Sequence, residues 1–420
     1  MRALKTKMRG LNKSQFKRLR ELTAHAKNLY NQSLWILREA FDATGKYFSY
    51  PQMDRAMKQV ANREGEINYK LLKAKVAQQT LRRVDQNFKS FFQASKDFKK
   101  NQSKYKGQPR PPRFKQKRYD NLIFDYQAFK VKGTLVLLEK GLEIKLPPSL
   151  VGKTIKQIEI IPKHHLFQAV FVYEEEVQNF KLIEPNDQIM SIDLGLNNLA
   201  TCVTNGLIKP FIIDGRRIKS LNAYYNKRKA KIQSELEKSR GIKWSHKLQS
   251  LTDKRNARVN DYLHKATADV IKTCLTHNIS KVVIGDVAKS LDHINLGKKT
   301  NQNFVNLSLG QFVDKLSYKL GQHGIKLIVA NESYTSKASF LDGDKMPKKY
   351  DKEAKPIYSG KRIKRGLYRS KDGTLINADV NGAYNILRKG DSKFSFSSFL
   401  KRVGNNVKEW LHPTERIFIS

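Results

Sequence analysis

"QIMSIDLGLNNLATCVTNG", residues 188–206, decides the fold. An apolar run from Ile189 carries one acid, Asp193, near its end. A turn at Gly195 follows, then a second apolar run through Val203, so the stretch reads as two strands joined by a short turn. Working outward, "KPFIIDG" (209–215) is a third strand, and 219–278 reads as one or two long basic helices. "KVVIGD" (281–286) is a buried-looking strand, 305–323 a helix and "IKLIVANE" (325–332) the next strand. "NADVNGAYNILRKG" (377–390) starts a further helix. Hairpin strands followed by alternating helix and strand predict a mixed α/β sheet.

The front half is built differently. Residues 11–104 read as helical: Leu19, Leu22, Ala26, Leu29 and Leu37 keep helical spacing, as do Ala77, Leu81, Val84, Phe88, Phe91 and Phe98. These stripes are core. The other faces carry Lys and Arg. "YKGQPRPPRFKQKRY" (105–119) breaks the pattern, because its three prolines and one glycine demand extended or turning chain. Its cations Arg110, Arg113, Lys115, Lys117 and Arg118 interleave with Tyr105, Phe114 and Tyr119, a mixture suited to phosphates and stacked bases. A solvated basic linker is the plainer alternative. "TLVLLEKGLEIKLP" (134–147) reads as a hairpin turning at Lys140-Gly141, and "IKQIEIIP" (155–162) and "FQAVFVYEEE" (167–176) alternate as strands.

Charge narrows the function. The 420 residues hold 81 Lys and Arg against 38 Asp and Glu, a formal net charge of +43. Such a chain repels itself unless a polyanion is present. Nucleic acid is the natural partner, with an acidic membrane surface as rival. No run of about 18 apolar residues and no signal peptide is visible, so no membrane partner and a cytoplasmic location are expected. Cys202 and Cys274 are the two cysteines, too few for a disulfide framework or a cysteine-based zinc site. "INLGKKTNQNF" (294–304) lacks the glycine spacing of a phosphate-binding loop, and His264, alone on a helix, reads as structural.

The acids carry the chemistry. Asp193 ends a strand; Asp379 lies among the small residues Ala378, Gly382 and Ala383, where it or Asn377 could cap a helix; Glu332 ends another strand. Singly, each reads as a turn, a cap or a solvated strand end. Together they suit Mg²⁺ or Mn²⁺, which take oxygen ligands. A pair of such ions can hydrolyse a phosphodiester.

"SIDLGLNNLATCVTNG" (191–206), "YLHKATADVI" (262–271), "ESYTSKASF" (332–340) and "NADVNGAYNILRK" (377–389) resemble the RuvC-like nuclease of the TnpB (OrfB) proteins of insertion sequences, relatives of type V CRISPR effectors. The resemblance covers roughly 186–390. It implies an RNase H-like (RuvC) catalytic domain over 186–336 and 376–390, behind a helical recognition domain (11–104) and a small β-barrel-like, wedge-like domain (1–10 and 105–185). It also implies a guide RNA made from the element's end, a double-stranded DNA target beside a short adjacent motif, a two-metal-ion cut, and a prokaryotic, nucleoid-associated protein.

Two departures from the family pattern matter. The second strand motif normally ends in glutamate; here "VVIGDVAKS" (282–290) places Gly285 there and Asp286 one residue later. A one-residue offset in a strand turns the side chain to the other face. In an RNase H-like sheet the strand of Gly285 lies beside that of Asp193, and the strand of Glu332 comes next, about 4.8 Å further. A glutamate side chain covers much of that gap, and Gly285 leaves the path open. Asp193, Glu332 and Asp379 are therefore expected to hold the metals, with Asp286 as the alternative to Glu332. Second, many relatives carry a four-cysteine zinc ribbon between Ser336 and Asn377. Here 337–375 contains no Cys or His, so zinc is not expected, and "KRIKRGLYRSKDGTL" (361–375) reads as a basic hairpin turning at Asp372-Gly373. Its Lys361, Arg362, Lys364, Arg365 and Arg369 would steer DNA, unless the insert is a solvated loop. Residues 391–420 read as a C-terminal tail. The reading is an RNA-guided DNA endonuclease; the alternatives are a guided DNA-binding protein that does not cut and a strand-joining transposase.

Overall fold

The computed structural model describes residues 1–164, 166–175, 181–286, 308–351, 353 and 356–419. The segment 294–304, and 305–307 of the helix expected over 305–323, lie outside the described residues. The chain divides into two compact units, Met1–Glu176 and Val177–Ser420.

In the first unit the elements run β1 (Arg2–Lys7), α1 (Lys13–Thr44), α2 (Tyr50–Met57), α3 (Ala74–Lys100), β2 (Leu122–Asp125), β3 (Lys130–Lys132), β4 (Leu135–Glu139), β5 (Leu142–Lys145), β6 (Ile155–Pro162) and β7 (Phe167–Tyr173). A capping box of Asn12 and Gln15 starts α1, and Gly45 ends it at φ 67°, a backbone that glycine adopts without strain. Leu19, Leu22, Ala26, Leu29 and Leu37 of α1 are buried in one core with Ala77, Leu81, Val84 and Phe88 of α3. The strands form two antiparallel sheets, ordered β1-β7-β6-β2 and β3-β4-β5. Residues 105–119 run without regular strands. They lie along α1: Asn31 bonds both the amide (2.8 Å) and the carbonyl (3.0 Å) of Lys115, and Arg38 stacks over Phe114.

The second unit is built on a six-stranded sheet. Its elements are β8 (Ile189–Leu194), β9 (Asn198–Thr204), β10 (Phe211–Asp214), α4 (Arg216–Arg240), α5 (His246–Thr276), β11 (Lys281–Gly285), α6 (Leu309–Gln322), β12 (Lys326–Ala330), β13 (Lys361–Lys364), β14 (Leu367–Arg369), β15 (Leu375–Asn377), α7 (Ala378–Gly390), α8 (Phe396–Val403) and β16 (Glu415–Ile417). The strand order is β12-β11-β8-β9-β10-β16. β11 pairs in parallel with both β8 and β12, so the strand of Gly285 does lie between those of Asp193 and Glu332.

Both faces of the sheet are covered, and the two-residue period of a strand sorts its side chains between them. Met190, Ile192, Cys202, Val282 and Ile284 pack with α5 and α6. Ile189, Val203, Val283 and Ala330 pack with α7 and the segment after it. That parity carries residues 191 and 193 of β8, and Gly285 of β11, to the α7 face.

Two features differ from the sequence reading. Of the expected tail 391–420, residues 391–419 are packed onto the unit: Phe394, Phe399 and Leu411 are buried against α7, and β16 adds a parallel edge strand to β10. The insert is a three-stranded sheet, β13-β14-β15, rather than a single hairpin. The expected turn at Asp372-Gly373 joins β14 to β15, and a second turn at Arg365-Gly366 joins β13 to β14. Both glycines have φ above 80°. Buried Asp344 closes the base of the insert, accepting bonds from the Ser339 amide (2.8 Å) and from the amide and hydroxyl of Ser359 (3.1 and 2.7 Å).

Candidate metal centre

Asp193 projects from the end of β8 toward α7, and the helix makes room for it. A Cβ on Gly382 would stand 2.9 Å from Asp193 Oδ2, closer than such contacts occur, so a small residue there is a condition of the site. Burial pushes the Asp193 carboxyl well above its ordinary range. The negative carboxylates of Glu332 and Asp379 push it further, and the Arg362 guanidinium offsets part of the rise.

Glu332 lies just beyond β12, two residues past Ala330, and reaches back across the sheet. A Cβ added at Gly285 would fall inside the Glu332 carboxyl group, overlapping its Cγ, Cδ and Oε1. The glutamate from the third strand thus fills the space a side chain at 285 would take. Its Oε1 is buried and has no hydrogen-bond partner among the described residues. An orphaned buried carboxylate oxygen is costly, and burial raises the Glu332 pKa to about 7, with Asp286 adding to the rise. Asp286 extends the β11 ladder by one bond, its amide donating to Ala330 O at 2.9 Å. The carboxylates that act on Asp193 are those of Glu332 and Asp379.

Asp379 sits in the first turn of α7, where the helix dipole favours a negative charge. Asn377 is the cap, its Oδ1 accepting from the amides of Asp379 (3.0 Å) and Val380 (3.1 Å). One carboxylate oxygen of Asp379 accepts from Asn198 Nδ2 at 2.7 Å, and the other faces Arg362 at 3.9 Å. Beside Asp379 opens a cavity of about 650 Å³, lined by the 195–198 turn, Arg216 and Lys219 of α4, Arg362, Arg365 and Gly366 of the insert, and Arg416 of β16. Five cations around one carboxylate make this a place for an anion.

The other basic candidates are described each within its own unit. Lys361, Lys364 and Arg369 are exposed on the insert, and Arg110, Arg113, Lys117 and Arg118 are exposed on the first unit. Lys115 differs from its neighbours. Its ammonium is half-buried, 2.6 Å from Asp120 and 4.3 Å from the Tyr30 ring centre, which spends it inside its own unit. Sequence reasoning passed over Asn198, Arg216, Lys219 and Arg416. "DGRRIKS" (214–220), cations in the first turn after a strand, was a usable signal for two of them; Arg416 had none.

Among the described residues the donor set suits a hard divalent cation: carboxylate oxygens, one buried without a partner, and no sulfur. Among the described residues, no group of three or more His, Cys, Asp or Glu side chains is already arranged to hold a metal by itself. Mg²⁺ ordinarily binds through one or two carboxylates together with water and substrate phosphate, so an open arrangement is compatible with it.

The family model OrfB_IS605, described as "Probable transposase", matches residues 171–291, and "Cas12f1-like, TNB domain" matches 310–386. "Putative RNA-guided DNA endonuclease InsQ" of Escherichia coli is 23% identical over 95% of this chain and 94% of its own length. The chain is thus similar to TnpB (OrfB) proteins. A TnpB-like protein of Methanocaldococcus jannaschii is 24% identical over 52% of this chain and 75% of its own. Among solved structures, the "Cas12f1-sgRNA-target DNA complex" is similar at TM-score 0.54 and 15% identity, covering 89% of this chain and 82% of that one. The "mini-RNA-guided endonuclease CRISPR-Cas_phi3" is similar at TM-score 0.52 and 11% identity, covering 93% and 92%. At these identities the likeness is one of fold, a mixed α/β architecture. No helix among the described residues is long and apolar enough to cross a membrane.

Proposed function

We propose that this chain is a TnpB-family RNA-guided DNA endonuclease associated with a transposable element. Asp193, Glu332 and Asp379 would hold Mg²⁺ or Mn²⁺, and the cut would be hydrolysis of a DNA phosphodiester. The observation that carries the proposal is Glu332 filling the space above Gly285, on the same sheet face as Asp193. A side chain held there with a buried oxygen that has no partner among the described residues is poorly explained as a solvated strand end.

Bound divalent ions would supply Lewis acidity and an activated water to the in-line displacement. The chain's own contributions are separable. Asp193 offers its oxygens from the end of β8 and Glu332 from just beyond β12, the two strands that flank β11. Asn198 holds Asp379 in place. Arg362, Arg365, Arg216 and Lys219 give the entering backbone a positive cavity beside the carboxylates. Guide RNA and DNA as partners are supported by the names of InsQ and of the Cas12f1 complex, and by the +43 charge. Origin of the guide in the element's end, and a short adjacent DNA motif, complete the proposal.

The test is purification with co-bound RNA and incubation with a matched plasmid and Mg²⁺. Asp193→Ala, Glu332→Ala and Asp379→Ala should abolish cutting and leave target binding intact, and Asp286→Ala should cut. Loss of cutting in Asp286→Ala with cutting retained in Glu332→Ala would reverse the assignment. A guided binder that does not cut is the second reading. It is favoured by the open arrangement of the acids, and it wins if the wild type occupies its target and leaves it intact. Joined strands among the products would point instead to a transposase.

A further inference from the structure

Asp379 is held by a chain of contacts that leads away from the sheet centre to its far edge. Asn198 Nδ2 donates to Asp379 Oδ2 at 2.7 Å, and Arg416 Nη2 donates to Asn198 Oδ1 at 2.8 Å. The other terminal nitrogen of Arg416 bonds Asp214 Oδ1 at 2.8 Å. Asp214 is itself fixed. It is buried, its Oδ1 also accepts from Arg216 Nε at 2.7 Å, its Oδ2 accepts the Arg216 amide at 2.9 Å, and its carbonyl accepts the Tyr262 hydroxyl.

We infer that Arg416, anchored by Asp214, is a positioning residue for the metal ligand Asp379, acting through Asn198. The chemistry of the three partners permits one arrangement. A guanidinium only donates and a carboxylate only accepts, whereas an amide side chain does both. Arg416 therefore claims the oxygen of Asn198 and turns its NH₂ toward Asp379. That bond occupies Oδ2 with a neutral donor and leaves Oδ1 toward the cavity. Without Arg416 the amide is free to rotate, and its oxygen would then face a carboxylate. Partners behind metal ligands commonly change metal affinity by about 10–100-fold when removed. The relay also gives a chemical role to β16, which pairs with β10 across some two hundred residues of sequence.

This inference rests on the reading of Asp379 as a metal ligand, and its test separates the two. Mn²⁺ binding to the RNA-loaded protein is followed by loss of the free-ion electron paramagnetic signal, beside the Mg²⁺ concentration giving half-maximal cutting. Asn198→Ala and Arg416→Ala should each raise both values about tenfold, with cutting recovered at high metal and target binding unchanged. Arg416→Lys, a single ammonium that cannot span Asp214 and Asn198, should fall between wild type and Arg416→Ala. The Asn198→Ala/Arg416→Ala double variant should be no worse than Asn198→Ala, because both changes break one chain. If Arg416→Ala fails to fold, Arg416→Lys and Asn198→Ala carry the test. Unchanged Mn²⁺ affinity in Asn198→Ala and in the Arg416 variants, with affinity lost in Asp379→Ala, overturns the relay alone. Unchanged affinity in Asp379→Ala overturns the ligand assignment and the relay with it.

Discussion

A glycine and a glutamate on neighbouring strands carry much of the argument, and the first prediction belongs to them. Any side chain at 285 competes for the volume that Glu332 holds. Glu332 is the flexible member, so Gly285→Ala should keep the fold, at an overpacking cost of about 1–3 kcal/mol, and expel the glutamate. Cutting should fall about a thousandfold, since a lost metal contact removes several kcal/mol of transition-state stabilisation. The Gly285→Glu/Glu332→Ala double variant, which delivers the carboxylate from β11 instead, should regain activity over either single variant. Wild-type cutting by Gly285→Ala would sink the assignment. The same carboxylates set a pH dependence. Asp193 and Glu332 both have raised folded pKa values, Glu332 to about 7 from 4.5. The folded state then keeps protons that the unfolded chain releases, so their contribution to stability is greatest below the unfolded pKa and is lost as pH rises toward 7. In EDTA, Glu332→Gln should gain Tm relative to wild type between pH 5 and pH 7.5, as followed by thermal melts. Curves that stay parallel would mean Glu332 ionises as it does in water.

At the scale of elements, packing and hydrogen bonds hold the insert. Tyr368 and Ile376 are buried in the core that α7 completes, Tyr368 donating its hydroxyl to the Lys337 carbonyl at 2.8 Å, and Asp344 ties the loop from 339 to 359. Asp344→Ala leaves the buried Ser339 amide unpaired, at a cost of about 1–3 kcal/mol. Limited proteolysis should then cleave within 345–360 faster than in wild type, and cutting should drop with guide binding unchanged. Equal proteolysis rates would show the insert is held elsewhere. The legibility of this half of the chain followed contact range. β8, β9, β11 and β12 are apolar runs, so their existence was readable, and the family resemblance set their order. Parity within each strand then told which side Asp193 and Gly285 face. A three-residue strand such as β16 carries too little pattern to read. The pairing of β16 with β10, and Arg416 with Asn198, depends on partners about two hundred residues away that leave no local trace. Lys115 was legible as a cation but not as a paired one, because Asp120 and Tyr30 meet it through the fold.

For the whole molecule the governing quantity is charge. A formal +43 over 420 residues costs a compact chain self-repulsion that a bound polyanion would relieve. Salt acts oppositely on the two states. In the RNA-free chain added ions screen repulsion between cations, so stability should rise with ionic strength. In the RNA-loaded particle the same ions compete for phosphates. A protein making 6–10 phosphate contacts loses about 10³–10⁵ in affinity between 50 and 200 mM salt. Ligand binding to the folded state is a stabilisation that weakens with affinity, so the loaded particle should lose Tm over that range. The experiment is a pair of melts, before and after ribonuclease treatment, across 50–500 mM salt. The proposed function expects slopes of opposite sign, crossing where screening gains match phosphate losses. Two rising curves would mean that the co-purified RNA contributes little to holding the fold. Two flat ones would mean that the basic surface is already neutralised within the protein, a result at odds with exposed Arg110, Arg113, Lys361 and Lys364.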